Sequence, residues 1–201
     1  LLINFALLLA VSHLPSQENI GTMWRAVPGK NKTVLVGIIL AIAILVRMDA
    51  IISATLIVFY LFIKNKRSAV FPIISIIITT LAVFYFQKFY FGDFLPTTYY
   101  QKVTGYSTLE RIQHGLLVFN QFTARDTLLL FLFSLACLFF YKLQRNLEAL
   151  LLLGIFIAQC AYSLYVGGDY AEPETNAANR FITQGMPALI ILFSWMTNRI
   201  L

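Results

Sequence analysis

The sequence predicts an all-α, polytopic membrane protein, and three observations lead to this fold class. Of the 201 residues, 59% are hydrophobic and 12% are charged, whereas a soluble domain is roughly half apolar and roughly a quarter charged. The mean hydropathy of +0.78 also excludes a disordered chain, which combines low hydrophobicity with high charge. Finally, the apolar residues are gathered in seven runs.

The lengths of these runs determine which of them can cross a membrane. They cover residues 1–14, 34–46, 50–63, 68–86, 127–141, 146–166 and 181–197. A spanning helix needs about 20 residues, with a range of roughly 17–25. Three of the last four runs reach this length, and 127–141 reaches it if it is tilted or flanked by snorkelling side chains. We therefore expect about seven membrane segments in a single membrane domain, 1–201.

Two interpretations are open for residues 34–63, because Arg47-Met48-Asp49 interrupts the apolar sequence. In a single long helix these two charges would lie at mid-membrane, at a cost of about 2.5–3.5 kcal/mol each. Residues two apart on a helix point in different directions, so the charges could not neutralise each other. The alternative is a short helical hairpin whose turn carries them.

The flanking basic residues favour the hairpin. Lys30 and Lys32 precede it, and Lys64, Lys66 and Arg67 follow it. Cytoplasmic loops are enriched in Lys and Arg, so both ends are predicted to be cytoplasmic. The chain would then expose residues 47–49, 87–126 and 167–180 on the extracytoplasmic face.

This topology places most of the basic residues on the cytoplasmic side and most of the acidic residues on the extracytoplasmic side. The inside holds nine of the 15 basic residues, and the outside holds seven of the nine acidic ones. Because the basic residues form short clusters between apolar runs, they indicate membrane orientation, and no nucleic-acid partner is expected.

The long external loop 87–126 is predicted to carry a surface helix. Its first part, 90–105, is rich in turn residues and aromatics, whereas Ser107 and Glu110 have the spacing of a capping box. Apolar residues then follow at helical spacing. They are Ile112, Leu116, Phe119 and Phe122. We expect this helix to lie flat on the membrane, and His114 on it to be incidental.

Charged residues in the three external segments are the candidate functional residues. Arg47 and Asp49 are either a local ion pair at the turn or a recessed functional pair, and an arginine fork suits a phosphate. Lys102 is a candidate second phosphate contact. Asp169 and Arg180 begin and end the 167–180 loop, where Gly167-Gly168 permits unusual backbone angles.

Other polar groups of these loops have simpler explanations. Glu172 and Glu174 fit a solvated acidic loop, although with Asp169 they could hold a divalent cation, the only cofactor the sequence suggests. Tyr99 and Tyr100 belong to an aromatic group typical of the membrane interface. The sequence has neither a phosphate-binding P-loop, a dinucleotide fingerprint, zinc-ligand spacing nor a nucleophile elbow.

From about residue 34 onward, the order of these motifs resembles bacterial GT-C membrane glycosyltransferases. The most similar branch contains mycobacterial terminal arabinofuranosyltransferases and related polyprenyl-sugar transferases. The matching stretches are Arg47-Met48-Asp49, Tyr90-Phe91-Gly92-Asp93 through Pro96-Thr97-Thr98-Tyr99-Tyr100-Gln101-Lys102, Gly167-Gly168-Asp169-Tyr170 and Arg180-Phe181. The family usually has Arg-Pro-Glu where this chain has Arg47-Met48-Asp49, and Asn at Thr97.

The resemblance implies a function and a set of site residues. A sugar would move from a polyprenyl-phosphate donor to a glycan or lipid acceptor of the cell envelope, on the extracytoplasmic face of the bacterial cytoplasmic membrane. Arg47, Lys102 and Arg180 would contact the donor phosphate. The sugar or acceptor would be contacted by Asp49, Asp169, Tyr99 and Tyr100.

The catalytic carboxylate of that family lies in the first external loop. Because the chain opens within an apolar run and without an initiator Met, we expect a fragment whose catalytic residue precedes Leu1. The main alternative is a transporter or flippase for lipid-linked or anionic solutes, which also places charges near helix breaks. A third interpretation is a non-catalytic membrane scaffold.

Overall fold

The computed structural model describes residues 29–104, 106–122, 132, 147–168 and 180–200, and within these residues the chain is helical with no strand. The predicted all-α class is therefore confirmed for this part of the chain. The helices described are α1 (Gly29–Val46), α2 (Ala50–Lys64), α3 (Lys66–Phe91), α4 (Thr97–Val103), α5 (Thr108–Phe122), α6 (Leu147–Val166), α7 (Arg180–Thr183) and α8 (Met186–Ile200). They belong to two compact units, Leu1–Tyr90 and Phe91–Leu201.

Two of these helices, α3 and α6, are long and apolar enough to cross a membrane. Shorter apolar helices cover Lys32–Val46, Ala50–Lys64 and Met186–Trp195. The predicted segments 1–14 and 127–141 lie outside the described residues, apart from position 132. Among the described residues, α3 and α6 are thus the two helices whose length and composition would allow them to span a membrane.

In the first unit, the predicted break between runs 34–46 and 50–63 is confirmed. Helix α1 ends at Val46, α2 begins at Ala50, and the two helices are in contact. Both helices bury apolar side chains at helical spacing, which explains why they form a shared core. The fully buried ones include Val36, Leu40 and Ile44 of α1 and Ala54 and Ile57 of α2.

Helix α3 is longer than the predicted run 68–86, because it continues through residues 87–91. Aromatic rings four residues apart support this last part: Tyr85 stacks on Phe89 and Phe86 on Tyr90. The helix ends before Gly92, whose φ of 84° is accessible mainly to glycine. Only 17% of the most apolar stretch of α3 is buried, so most of its apolar surface is left uncovered in this structure.

The second unit is organised around α6, which contacts α4, α5, α7 and α8. Its core contains Phe156 and Cys160 of α6, Ile182 of α7 and Leu189 of α8. These side chains are at least nine-tenths buried, and Phe119 of α5 packs against them. This core fixes the position of the polar residues at the end of α6.

The predicted run 181–197 is divided between α7 and α8, with a turn at Gln184-Gly185. Proline explains the break, because Pro187 lacks a backbone N–H and its ring blocks the carbonyl four residues earlier. Gly185 also lies close to α6: a Cβ added there would be 3.1 Å from the Cα of Phe156.

The predicted capping box begins α5. The backbone N–H of Ser107 donates to the Glu110 carboxylate at 2.9 Å, and the N–H of Glu110 donates to the Ser107 hydroxyl at 3.2 Å. The helix and its start are therefore confirmed. Its packed face differs from the apolar stripe, since Arg111, Gly115 and Val118 are buried. The side chains of Ile112 and Leu116 are exposed.

Candidate functional site

Arg47 and Asp49 form a two-point ion pair in the turn between α1 and α2. The Nε of Arg47 donates to Oδ1 of Asp49 at 3.1 Å, and Nη2 donates to Oδ2 at 2.6 Å. The Arg47 side chain is 41% exposed and that of Asp49 is 7% exposed. The turn brings together charges that a continuous helix would have separated.

This pair has consequences for both residues. Asp49 is at the N-cap position of α2, yet its side chain makes no cap hydrogen bond there. Its carboxylate is directed to Arg47 instead. The guanidinium in turn uses two of its donors on Asp49, so a phosphate at Arg47 would have to share the fork with a carboxylate. The sequence leaves two interpretations open for Arg47 and Asp49, a local ion pair or a recessed functional pair. The contacts seen here are those of the local ion pair.

A second set of polar residues surrounds the C-terminal end of α6, in the other unit. The helix ends in a Schellman motif: the N–H of Gly168 donates to the carbonyl of Ser163 at 2.8 Å, and that of Gly167 to Leu164 at 3.2 Å. The φ angles of the two glycines are 88° at Gly167 and 73° at Gly168. Side chains with a Cβ are disfavoured at such angles, which explains the predicted importance of this pair.

Helix α5 approaches the end of α6 closely because of a third glycine. A Cβ added to Gly115 would lie 2.7 Å from the carbonyl oxygen of Leu164. Only a residue without a side chain allows the two backbones to come this near. Gly168 also lies close to α5, since its added Cβ would be 3.0 Å from the Cβ of Val118.

Arg111 and His114 extend from the packed face of α5 to the last carbonyls of α6. Nδ1 of His114 donates to the carbonyl oxygen of Gly167 at 2.7 Å, because a carbonyl can only accept. Nη1 of Arg111 donates to the carbonyl of Tyr165 at 3.4 Å. Cations and N–H donors at a helix C-terminus are favourable, since the helix dipole is negative there.

Arg111 is a buried cation, with 8% of its surface exposed. Its guanidinium carbon lies 5.1 Å from the centre of the Tyr165 ring, and Nη2 donates to the hydroxyl of Thr108 at 3.2 Å. Among the described residues it forms no ion pair with a carboxylate, and its Nε donates no hydrogen bond. Its charge is therefore stabilised by an aromatic ring and by helix-end dipoles.

Tyr165 also joins this set to α4. Its hydroxyl is 3.1 Å from that of Tyr99, and the Tyr99 ring packs edge-on against Tyr100 with centroids 5.9 Å apart. The hydrogen bond with Tyr165, together with partial burial, raises the pKa of Tyr99 above its ordinary value. Two residues predicted as sugar contacts are thus held beside the end of α6.

The remaining predicted site residues are placed as follows. Lys102 belongs to α4, but its side chain lies outside the described part of the structure. Arg180 is the first residue of α7 and is exposed. Asp169, Glu172 and Glu174 lie outside the described residues. Among those that are described, no three His, Cys, Asp or Glu residues form a group suited to a metal ion.

Sequence reasoning missed three residues of this set, Arg111, His114 and Tyr165. His114 in particular was expected to be incidental. Their partners are 53 to 66 residues away in the chain, so no local spacing connects them. One indication was present, because Arg111, His114, Gly115 and Val118 share one face of a helix, and a glycine on that face indicates close packing.

Comparison of the chain with protein-family models, curated proteins and solved structures found no match.

Proposed function

We propose that this chain is part of a membrane glycosyltransferase that moves a sugar from a polyprenyl-phosphate donor to a cell-envelope acceptor on the extracytoplasmic face. The observation that carries the proposal is the Tyr99–Tyr165 hydrogen bond of 3.1 Å. It connects the Pro96–Lys102 stretch with the residues just before Gly167-Gly168. The Pro96–Lys102 stretch and the stretch that begins at Gly167-Gly168 are two of those on which the resemblance to GT-C transferases rests, and they are distant in sequence.

The helices support a membrane location for this site. Helix α6 is apolar and long enough to span, and the polar set lies at its C-terminal end. Helix α5 leaves Leu109, Ile112 and Leu116 exposed beside its packed face. Such a stripe suits a helix lying at the membrane interface, with one side against α6 and another against lipid. We propose a GT-C-like fold with about seven membrane segments around these elements.

Transfer of a sugar from polyprenyl phosphate requires positive charge near the donor phosphate. In the transfer, the bond between the anomeric carbon and the phosphate oxygen breaks, and a bond to the acceptor oxygen forms. The acceptor proton passes to a carboxylate base, and polyprenyl phosphate leaves. Positive charge that faces the phosphate stabilises the charge growing on it. Arg180 and Lys102 are proposed for this role in the second unit, and Arg47 is proposed from the sequence alone.

The other site residues would contact sugar or acceptor. Tyr99 and Tyr100 present rings and hydroxyls, which suit the apolar faces and the hydroxyls of a sugar. Asp49 and Asp169 are proposed as hydrogen-bond acceptors for sugar hydroxyls.

A transfer assay on the complete protein that contains this chain tests the proposal. The protein is reconstituted in liposomes with a polyprenyl-phosphate sugar labelled in the sugar, and with mixed oligosaccharide acceptors. We expect label in the acceptor and an equal amount of free polyprenyl phosphate. Label that crosses the bilayer in an unchanged donor would instead indicate a flippase. No product with any pentose or hexose donor would overturn the proposal.

A further inference from the structure

The end of α6 needs hydrogen-bond partners that the helix itself cannot provide. A helix leaves its last four carbonyls without intrahelical donors. The Schellman motif uses those of Ser163 and Leu164, which accept from Gly168 and Gly167. The Tyr165 carbonyl and the carbonyl of Gly167 in the turn accept from α5 instead. Side chains that lie 53 and 54 residues before their partners therefore complete the terminus of this helix.

The two donors are placed by one rigid element. Arg111 and His114 are three residues apart on α5, so they occupy neighbouring positions on the same face. Gly115, next to His114, sets how close that face comes to Leu164. A rotation of α5 by one residue would turn the helix by about 100° and remove both donors from the carbonyls. The docking of α5 and the capping of α6 are thus one arrangement.

The contacts of Arg111 also connect α5, through Tyr165, to the predicted site residue Tyr99. Arg111 lies over the ring of Tyr165 while it donates to the carbonyl of that residue. Tyr165 is thereby held from its backbone and from its ring. Its hydroxyl meets the hydroxyl of Tyr99, a proposed sugar contact. Gly168, at the other end of the turn, is the residue immediately before the predicted site residue Asp169.

We infer that Arg111 and His114 are positioning residues of the candidate site: they clamp the C-terminal turn of α6 and, through Tyr165, orient Tyr99. Both donate to backbone carbonyls, so the role that we assign to them is to position other residues of the site. This role for transfer rests on the proposed function. The clamp itself is a statement about the fold, and it can be measured without any substrate.

Hydrogen exchange of the backbone amides at the end of α6 tests whether α5 holds this turn in place. The amides of Gly167 and Gly168 close the Schellman motif, so they report any loosening of the turn. His114→Leu removes the Nδ1 donor, and we expect exchange in a peptide covering residues 163–168 to accelerate about tenfold. His114→Asn is the matched variant, since its amide nitrogen can replace Nδ1 and should keep exchange close to that of the parent protein.

The amide of Asn65 serves as an internal control for the same experiment. It donates to the carbonyl of Leu61 at the end of α2, in the other unit. Its exchange should be equal in all variants. Unchanged exchange of residues 163–168 in His114→Leu would overturn the clamp.

The transfer assay then tests whether the contacts of His114 affect kcat for sugar transfer. A misplaced but intact site lowers kcat more than it raises KM, so we expect His114→Leu to lower kcat about tenfold with KM nearly unchanged. His114→Asn should restore kcat. Asparagine has no group equivalent to Nε2, so a failure of His114→Asn to restore kcat while it restores exchange would overturn the positioning role.

The two proposals fail in different ways. If exchange accelerates in His114→Leu but transfer continues at the parental rate, the positioning role is wrong and the proposed function stands. If the parent protein transfers no sugar, the proposed function is wrong, and with it the positioning role in transfer. The exchange result would then still decide whether α5 clamps α6.

Discussion

Two arginines of this chain lie beside turns that end helices, and their surroundings are opposite. Arg47 is 41% exposed and is neutralised by Asp49, two residues away. Arg111 is 8% exposed, and its contacts to Tyr165 join residues 54 apart. Where the first arginine forms an ion pair inside its own turn, the second one stabilises the end of another helix.

The difference shows how each arginine is stabilised and what it could do. An ion pair with one exposed partner contributes little to stability, because water competes for the exposed guanidinium of Arg47. A buried guanidinium needs its hydrogen bonds, and its position is fixed by the packing that buries it. Arg47 is therefore an exposed charge that is paired with Asp49, whereas Arg111 is buried and holds Tyr165 of the candidate site in place. Substitutions in the two regions should differ accordingly.

The largest effect is expected at the contact that buries Arg111. Gly115→Leu places side-chain atoms where the Leu164 carbonyl lies, and overpacking of this kind costs about 1–3 kcal/mol in the free energy of unfolding. Gly154→Leu is the matched control on α6, because a Cβ there meets no atom within 4 Å. Denaturation of both variants in detergent measures the difference. Equal stabilities would contradict the close docking of α5 on α6.

A smaller effect is expected at the ion pair of the first unit. Arg47→Met should lower the free energy of unfolding by about 0.2–1 kcal/mol, as is typical of pairs that water reaches. Arg67→Met is the control, since the Arg67 side chain is exposed and forms no ion pair in the part of the chain that the structure describes.

A double-mutant cycle of Arg47→Met with Asp49→Asn isolates the pair. The coupling free energy should be favourable and below that of buried pairs. A coupling of zero would show that the two-point contact between Arg47 and Asp49 contributes nothing to stability.

The smallest effect is expected at the hydroxyl pair. Tyr165→Phe keeps the ring under Arg111 and removes the hydrogen bond to Tyr99, for a loss of about 0.5 kcal/mol.

Denaturation of the parent protein and of Tyr165→Phe in detergent measures this loss. Equal stabilities would contradict a stabilising bond between the two hydroxyls.

The parts of the fold that the sequence predicted are those set by local pattern. Ser107 and Glu110 are three residues apart, and their reciprocal hydrogen bonds follow from that spacing. The break at Arg47-Met48-Asp49 follows from the cost of charges inside an apolar helix. The turn before Met186 was missed although Pro187 is visible in the sequence, because the apolar run continues through it.

The candidate site was predictable only in part. Gly167-Gly168 and Tyr99 stand out from composition and turn chemistry. Arg111, His114 and Tyr165 become a site only when α5 docks on α6, and that docking depends on Gly115, which carries no chemical group. One sequence cannot reveal which helices meet, so the partners of a buried arginine have to come from the structure.

The transfer assay with Arg180→Ala is the strongest test of the proposed sugar transfer. Arg180 opens α7, which packs on α6, and its positive charge is proposed to stabilise the phosphate leaving group. We expect turnover to fall by about 100-fold or more while the protein stays in the membrane, as for other lost transition-state contacts. Arg67→Ala, on the predicted cytoplasmic side, should keep the parental rate. Near-normal transfer by Arg180→Ala would contradict the account.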